Sequence, residues 1–275
     1  MIVSWVSALL RHRTLGFVAT ALGIAVAVAL LGAVGSFIAV AQTTMTDRAV
    51  SNVAVDWQVE VASGAELAAT TKLVESAAGV RNVEPIGFAT ADSFSATTGV
   101  TPTTQTTGTG VVLGLSPGYQ AAFPGQVRLL TGTADGAMVA QQTAANLHAA
   151  PGDHVTVTFA GQPVDVTISG VVELPQANSL FQVVGAPAAS QPTAPPDNVI
   201  LLPTAAFATA TATLAQTRPD LLSTQLHVTT DRVLDPAPAA AYVQVTQAAN
   251  NLEAQLAGAG RVGNNLAASL DAARS

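Results

Sequence analysis

A long apolar stretch without a charged residue, residues 15–41, constrains what this chain can fold into more than any other feature. A helix of this length spans roughly 40 Å at about 1.5 Å per residue, whereas a bilayer core of about 30 Å needs only about 20 residues. Such a helix satisfies its own backbone hydrogen bonds in hydrocarbon. The small residues Gly23, Gly32, Gly35 and Ser36 favour close contact between membrane helices. The run therefore predicts a transmembrane helix.

The flanks of the run leave a cleaved export signal as the alternative. Arg11 and Arg13 form a basic flank, and Ala39-Val40-Ala41 before Gln42 fits the small-x-small pattern of a cleavage site. The apolar region of a signal peptide usually runs about 7 to 15 residues, however, and this run is much longer. We therefore expect a retained anchor. In either case Arg11 and Arg13 place residues 1–14 in the cytoplasm and everything after Gln42 outside.

The charge and cysteine content exclude several classes of partner and site. The 275 residues carry a formal net charge of −7 and contain no cysteine. Arg11 and Arg13 are the only charged residues before residue 42, so the acidic excess lies in the outer region, where Lys72 is the only lysine. An acidic surface argues against nucleic acid as a partner. The absence of cysteine excludes disulfides and thiolate metal sites.

The outer region alternates strands and helices and so predicts an α+β fold. Residues 53–61 alternate apolar and polar side chains and predict a strand, residues 64–78 predict a helix, and residues 79–89 predict extended structure. The next stretch, residues 90–110, is rich in Thr, Ser and Gly, which cannot bury enough apolar surface to order a segment. It predicts a mobile loop.

A β-rich section follows this loop. Its strongest signal is a hairpin, because residues 155–159 and 164–168 alternate apolar and polar side chains on either side of a short turn. A strand at 111–115 and a short helix at 138–147 precede the hairpin, and a Pro-rich connector at 185–197 follows it. The last third of the chain again alternates, with a strand at 198–202, a helix at 204–216, a strand at 224–229, a helix at 238–256 and helical spacing over 262–274.

One stretch matches a catalytic motif. GLSPG at 114–118 fits the G-x-S-x-G nucleophile elbow, with Asp153 and His227 downstream in hydrolase order. That elbow needs the residue after the serine to donate its backbone N–H to the oxyanion. Here that residue is Pro117, which has no N–H. A Pro-Gly turn is the better interpretation.

The remaining candidates for chemistry are weaker. His148 and His154 flank a turn with only Asp153 beside them, too few ligands for a metal site. The sequence has no G-x-x-x-x-G-K-[ST] motif, so this chain cannot bind ATP phosphates through a P-loop. We therefore expect no catalytic residue, no cofactor and no metal, and hence no enzyme.

Six stretches of sequence carry a resemblance to a known family. They are RHRTLGFVATALGIAVAVALLGAVGSF in the membrane helix, VDWQVEV with GVRNVEPIGFA at the start of the outer region, AQQTAANLHAAPGDHVTVTF with VTISGVVELP in the β-rich section, and RVGNNLAASLDAARS at the end. Together, and in this order, they resemble the first part of an FtsX-like, MacB-type ABC transporter permease. The Thr-rich and Pro-rich stretches are most similar to actinobacterial members.

The resemblance implies a role in transport. In that family a separate cytoplasmic ATPase drives two permease subunits, and the outer domain relays the motion to substrates or envelope partners. The implied outer domain has a porter-like lobe, 42–110 and 198–258, an inserted β-rich lobe, 111–197, and a helical segment, 259–275, that returns toward the membrane. Family permeases have several membrane helices and this sequence has one, so we expect a fragment or a truncated reading frame.

The predicted loops also predict where such a domain bends. Segments with few apolar residues carry little burial energy, so the crossings near 100–110 and 186–197 would let two lobes change their mutual angle. Gly258 and Gly260 predict a hinge after the helix at 238–256, and we expect this hinge at the membrane-side joint of the outer domain.

Two other functions remain open on the sequence. A single-pass or secreted binding protein would recognise an outer ligand through the loops at 90–110 and 185–197, because loops commonly carry binding residues. A secreted hydrolase ranks third because of Pro117.

Overall fold

The computed structural model describes residues 14–98, 103–185 and 194–274. The helices in these ranges are α1 Thr14–Ser51, α2 Leu67–Glu75, α3 Tyr119–Ala122, α4 Gln141–Leu147, α5 Ala177–Leu180, α6 Thr204–Ala210, α7 Ala212–Thr217, α8 Pro238–Leu256 and α9 Asn265–Arg274, with a 3-10 turn at Pro219–Leu221. The strands are β1 Trp57–Val61, β2 Val80–Ala91, β3 Ser93–Thr98, β4 Thr103–Thr106, β5 Gly110–Leu115, β6 Arg128–Gly132, β7 Ala137–Ala140, β8 His154–Phe159, β9 Gln162–Glu173, β10 Val199–Pro203, β11 Leu222–Thr230 and β12 Gly260–Asn264.

These strands join in a single mixed sheet. Their order is β12-β1-β11-β2-β5-β10-β7-β9-β8-β3-β4, and β6 pairs with β9 beside this path. Most pairs are antiparallel, while β10 lies parallel to β5 and β7 lies parallel to β9. The N-terminal helix followed by this sheet-rich domain confirms the predicted α+β class.

The sheet has a core on each face because its strands alternate. On β11, Leu226 and Val228 face α2 and α8 in one core, with Trp57 and Leu252. The neighbouring His227 points to the opposite face, where it contacts α3. The helices begin at local signals: the Glu66 carboxylate accepts from two backbone N–H groups of α2, and α8 starts at Pro238, whose ring suits a first turn.

The prediction of a mobile loop over residues 90–110 is wrong for the part that the structure describes. Strands β3 and β4 form a hairpin there, and β3 pairs with β8. Phe94 and Ala96 are buried against the β8 side chains in one core, while Thr97 and Thr104 exchange a hydrogen bond of 2.9 Å on the exposed face. Burial of every second residue orders the segment, and Thr has a high preference for strands. Residues 99–102 lie outside the described ranges.

Other local predictions are confirmed, with changes at the boundaries. The hairpin at 155–168 is β8–β9, and the helix at 238–256 is α8. The predicted helix at 138–147 begins only at Gln141, because Ala137–Ala140 is a strand. Of the predicted helical stretch at 262–274, the first residues belong to β12 and the helix starts at Asn265. Most of the Pro-rich connector, residues 186–193, lies outside the described ranges.

The predicted lobes share the sheet. The sequence boundary at residues 110 and 111 falls inside β5, which is hydrogen bonded to β2 on one side and to β10 on the other. Strands β3 and β4, placed by sequence in the porter-like lobe, are hydrogen bonded into the β8–β9 end of the sheet. Whether the two ends of the sheet move as lobes stays a prediction.

A close approach between a strand and a helix gives a first testable prediction. A Cβ at Gly114 would lie 2.5 Å from Cγ and 2.9 Å from Cβ of Phe207, near the root of that side chain, so the ring cannot simply swing away. We expect Gly114→Ala to lower the free energy of unfolding by about 1–3 kcal/mol, as for other overpacked cores. In a double-mutant cycle with Phe207→Ala, measured by urea unfolding, the two losses should not add.

The matched control for this prediction is Gly108→Ala, since nothing lies within 4 Å of a Cβ at Gly108. It should leave the free energy of unfolding nearly unchanged. Additive losses for Gly114→Ala and Phe207→Ala would contradict the packing described here.

Candidate functional site

The long helix α1 extends beyond its apolar part into the folded domain. The residues from 18 to 40 are exposed, including Leu31 at 73% and Phe37 at 75%. Among the described residues α1 is the helix with the length and composition of a membrane span, a description that a signal sequence also meets. From Ala41 to Ser51 the same helix rises about 15 Å further. This extension joins the apolar segment to the sheet.

The extension is held by the two last helices of the chain. The Thr46 hydroxyl donates to the Pro236 carbonyl at 2.7 Å, just before α8. The Ser269 hydroxyl of α9 donates to the Ala49 carbonyl. Val50 is 7% exposed and packs in a small core with Ala241 and Val245 of α8 and with Leu266 and Leu270 of α9. The end of α1 is thereby packed against both helices.

A buried ion pair completes this junction. The Asp56 side chain is fully buried and lies 2.6 Å from the guanidinium of Arg232. Asp56 also accepts from the backbone N–H of Thr230 at 2.6 Å and from its hydroxyl at 2.8 Å. The Arg232 guanidinium donates to the carbonyls of Val50 and Val53 at the end of α1. A cation at a helix C-terminus is favourable for the helix dipole.

The backbone around Asp56 is hydrogen bonded to two elements, β11 and α9. Its N–H donates to the Val228 carbonyl of β11 at 2.9 Å, and its carbonyl accepts from the N–H of Asn265 at the start of α9 at 3.0 Å. The Asn265 side chain donates to the Val55 carbonyl at 2.9 Å. We call the contacts of Thr46, Val50, Asp56, Arg232 and Ser269 the junction. It can hold the outer domain at a set angle to α1, and it contains no arrangement for a chemical reaction.

The residues considered for hydrolysis are not brought together as a triad. Ser116 donates to the Glu84 carboxylate at 2.5 Å, and Asp153 accepts from the N–H of Ala150. His227 instead forms a hydrogen bond of 2.8 Å between its Nδ1 and the Tyr119 hydroxyl. Each group therefore has a partner outside the proposed triad.

The buried pair of His227 and Tyr119 lies on the sheet face opposite α8. His227 is fully buried, and burial lowers its pKa from 6.5 to about 3. Burial also raises the pKa of the Tyr119 hydroxyl. Both side chains are therefore neutral at pH 7, and the pair is part of the core.

Of the other histidines, His154 bonds to Thr167 at 3.1 Å. No group of three or more metal-ligating side chains occurs in residues 14–98, 103–185 and 194–274.

A wide cleft of about 1170 Å³ lies at the other end of α8. It is bordered by the ends of β1 and α8 and by the start of β11, and its charged residues are Glu60, Asp220, Glu253 and Arg261. Because Ala241 near the start of α8 touches the junction while Leu256 ends the helix, the cleft is about 22 Å further along α8.

The sequence-predicted site residues have separate positions. Gly258 has a φ of +90° and forms the turn after α8, and Gly260 opens β12, where a Cβ would lie 2.9 Å from the Glu60 carbonyl oxygen. Both line the cleft, at the end of α8 away from the junction. A hinge there stays a prediction.

Arg11 and Arg13 lie outside the described residues. Sequence reasoning missed Asp56 and Arg232, because no local pattern around either residue indicated a buried ion pair.

One protein family has a model that matches most of this chain. The family model described as the MacB-like periplasmic core domain matches residues 17–255. Among solved structures, the chain is similar to the periplasmic region of MacB from Actinobacillus actinomycetemcomitans, at 11% identity, with 82% of this chain and 96% of that one covered and a TM-score of 0.45. It is also similar to a domain of a putative permease protein from Porphyromonas gingivalis, at 14% identity, 76% and 89% coverage and a TM-score of 0.39. No curated protein matches the chain.

Proposed function

Because the chain belongs to the MacB-like periplasmic core domain family, we propose that it is a permease subunit of an ABC transporter of the FtsX and MacB type. In this proposal α1 is a retained membrane anchor and the sheet domain lies outside the cytoplasm. A separate cytoplasmic ATPase moves the anchor, and the outer domain relays the motion to a substrate or an envelope partner. A second permease copy or homologue completes the assembly.

The junction is the observation that carries this proposal. A helix that ended at the bilayer surface and led into a loose linker would tilt without moving the domain. Here α1 is continuous to Ser51, and the fully buried Asp56 and its partner Arg232 hold its end to β11 and α9. Removing one partner of a buried ion pair typically costs about 3–5 kcal/mol, so the joint resists opening. Motion of α1 would therefore be transferred to the sheet.

The remaining parts of the proposal follow from charge and position. Arg11 and Arg13 favour a cytoplasmic N-terminus, and the sequence has no P-loop, so the nucleotide would be bound by another chain. The cleft at the far end of α8 is the proposed contact for an outer partner. Gly258 and Gly260 border it, so a bend there would change the shape of the cleft rather than the angle of the junction.

Purification from the membrane tests the proposal. The full chain, affinity-purified from membranes of its own host, should bring with it a cytoplasmic ABC ATPase chain. Residues 42–275 expressed without α1 are the matched control and should not recover the ATPase. Recovery of the full chain alone would contradict the permease role and favour a single-pass binding protein. A mature N-terminus at Gln42 would contradict the retained anchor.

A further inference from the structure

A second cavity, of about 310 Å³, lies beside the junction. It is open to the surface and is bordered by the start of β1, the turn before β2, the loop before α8, and α8 and α9 themselves. Its apolar lining comes from the side chains of Trp57, Val233, Leu234, Val245, Ala248 and Leu266. We propose that this cavity binds an acyl chain of a phospholipid that reaches it from the outer leaflet, a step that rests on the membrane placement of α1 proposed above.

The polar side chains that border the cavity are already occupied. Asp231 pairs with Arg81 at 2.8 Å, Thr230 and Arg232 both bind Asp56, and the Gln244 side chain bonds to two backbone groups of the adjacent loop. None of these groups has to release a partner for a ligand to bind. A charged or strongly polar ligand would find no matching group here, whereas an apolar chain needs none.

One buried polar atom beside the cavity has no hydrogen-bond partner in the described part of the chain. The indole N–H of Trp57 is buried, and it has no hydrogen-bond partner among the residues that the structure describes. Trp57 is 4% exposed and lines the cavity. A buried Trp N–H usually has a partner. Because this nitrogen has almost no accessible surface, Trp57 offers a ligand in the cavity its apolar ring and not its N–H.

The position of the cavity indicates the source of the ligand. The loop 231–237, which borders it, is bonded to α1 through Thr46 and Pro236. Thr46 lies about 7 Å along α1 from Ala41, the last residue of the apolar run, and this distance is about the depth of the headgroup layer. Val233 on this loop is 80% exposed and Met45 on α1 is 56% exposed. These two apolar side chains lie at the level where the outer leaflet would meet the domain.

The size of the cavity suits part of one chain. A volume of about 310 Å³ is at the lower end of the range of about 300–1,000 Å³ that ligand pockets span. A whole phospholipid does not fit, so its headgroup and second chain would remain at the membrane. The occupant is therefore a single acyl chain drawn out of the leaflet.

Quenching of Trp57 by brominated lipid tests this proposal. The chain has two tryptophans, Trp5 and Trp57, so the full chain with Trp5→Phe reports on Trp57 alone. It is reconstituted into vesicles of phosphatidylcholine brominated midway along the acyl chains. Bromine quenches at close contact, and α1 rises about 15 Å between Ala41 and Ser51. Bromines that stay in the bilayer are therefore too distant, and we expect a loss of Trp57 emission only if a chain enters the cavity.

Two filled variants and one matched control complete the experiment. Ala248→Phe fills the cavity from α8, and Ala78→Phe fills it from an exposed position at its rim, where a fold defect is not expected. Both should restore the emission. Ala240→Phe is on an exposed position of α8 outside the lining and should remain quenched.

The outcomes separate this proposal from the membrane placement. Flotation of the chain with the vesicles on a density gradient reports the placement by itself. A chain that floats but shows the same emission in brominated and ordinary lipid would overturn the acyl-chain site alone. Quenching that persists in both Ala248→Phe and Ala78→Phe would overturn it as well, because the bromines would then reach Trp57 by another route.

Discussion

Arg232→Ala is expected to lower the free energy of unfolding by about 3–5 kcal/mol, since it leaves a buried carboxylate without its countercharge. The Asp56 side chain is fully buried, and the guanidinium of Arg232 lies 2.6 Å from it. The same change removes the donors to the carbonyls of Val50 and Val53, so the end of α1 should loosen as well. Urea unfolding of the full chain in detergent, followed by Trp57 emission with Trp5→Phe, measures the loss.

The matched control is the exposed ion pair between Arg81 and Asp231. Its two side chains are 66% and 52% exposed and lie 2.8 Å apart. Exposed pairs of this kind contribute at most about 1 kcal/mol. Arg81→Ala should therefore have a small effect. Equal losses for Arg81→Ala and Arg232→Ala would show that the ion pair of the junction contributes no more to stability than an exposed ion pair.

Acidification is expected to destabilise the protein through His227. Its pKa is about 3 in the folded state, against 6.5 for an ordinary histidine, because the burial of the ring disfavours its charged form. The unfolded chain therefore binds a proton below pH 6.5 that the folded chain does not bind until near pH 3. The contribution of the neutral ring is complete above pH 6.5 and is lost as the pH falls toward 3. At 1.36 kcal/mol per pH unit, the loss between pH 6.5 and pH 5 is roughly 2 kcal/mol.

Urea unfolding at pH 7 and pH 5 measures this loss. His227→Gln keeps an acceptor for the Tyr119 hydroxyl but cannot be protonated in this range, so most of the pH dependence should disappear. His154→Gln is the control, because His154 is an exposed histidine. If His227→Gln keeps the full difference between pH 7 and pH 5, the destabilisation comes from other groups.

The segments predicted well from sequence are those whose signal is local. The helix α8 was predicted with its observed bounds, since Pro238 opens it and a glycine follows its end. The β8–β9 hairpin was predicted from two alternating runs and a short turn. The prediction of a mobile loop at 90–110 was wrong because composition alone does not reveal the strand β3. Phe94 and Ala96 are buried only through pairing with β8, which lies far away in the sequence.

The junction is the part of the candidate site that sequence reasoning could not assemble. Asp56 and Arg232 are 176 residues apart, and nothing in either neighbourhood specifies the other. The strand pattern around residue 56 predicted β1. It did not indicate that the carboxylate at the start of this strand would be buried in an ion pair. Arg232 precedes α8 in a stretch that sequence alone shows only as a connection.

The sequence by itself determined that this chain has an apolar helix long enough for a bilayer, an acidic outer region without cysteine, and no motif for nucleotide binding. These are properties of composition and of spacing along the chain, which require no knowledge of distant contacts. Only the tertiary structure decided that α1 continues into the domain and is held there by Asp56 and Arg232, and that His227 is a neutral core residue. Burial and ion pairing depend on which strands become neighbours in the sheet, and that order is set by packing over the whole chain.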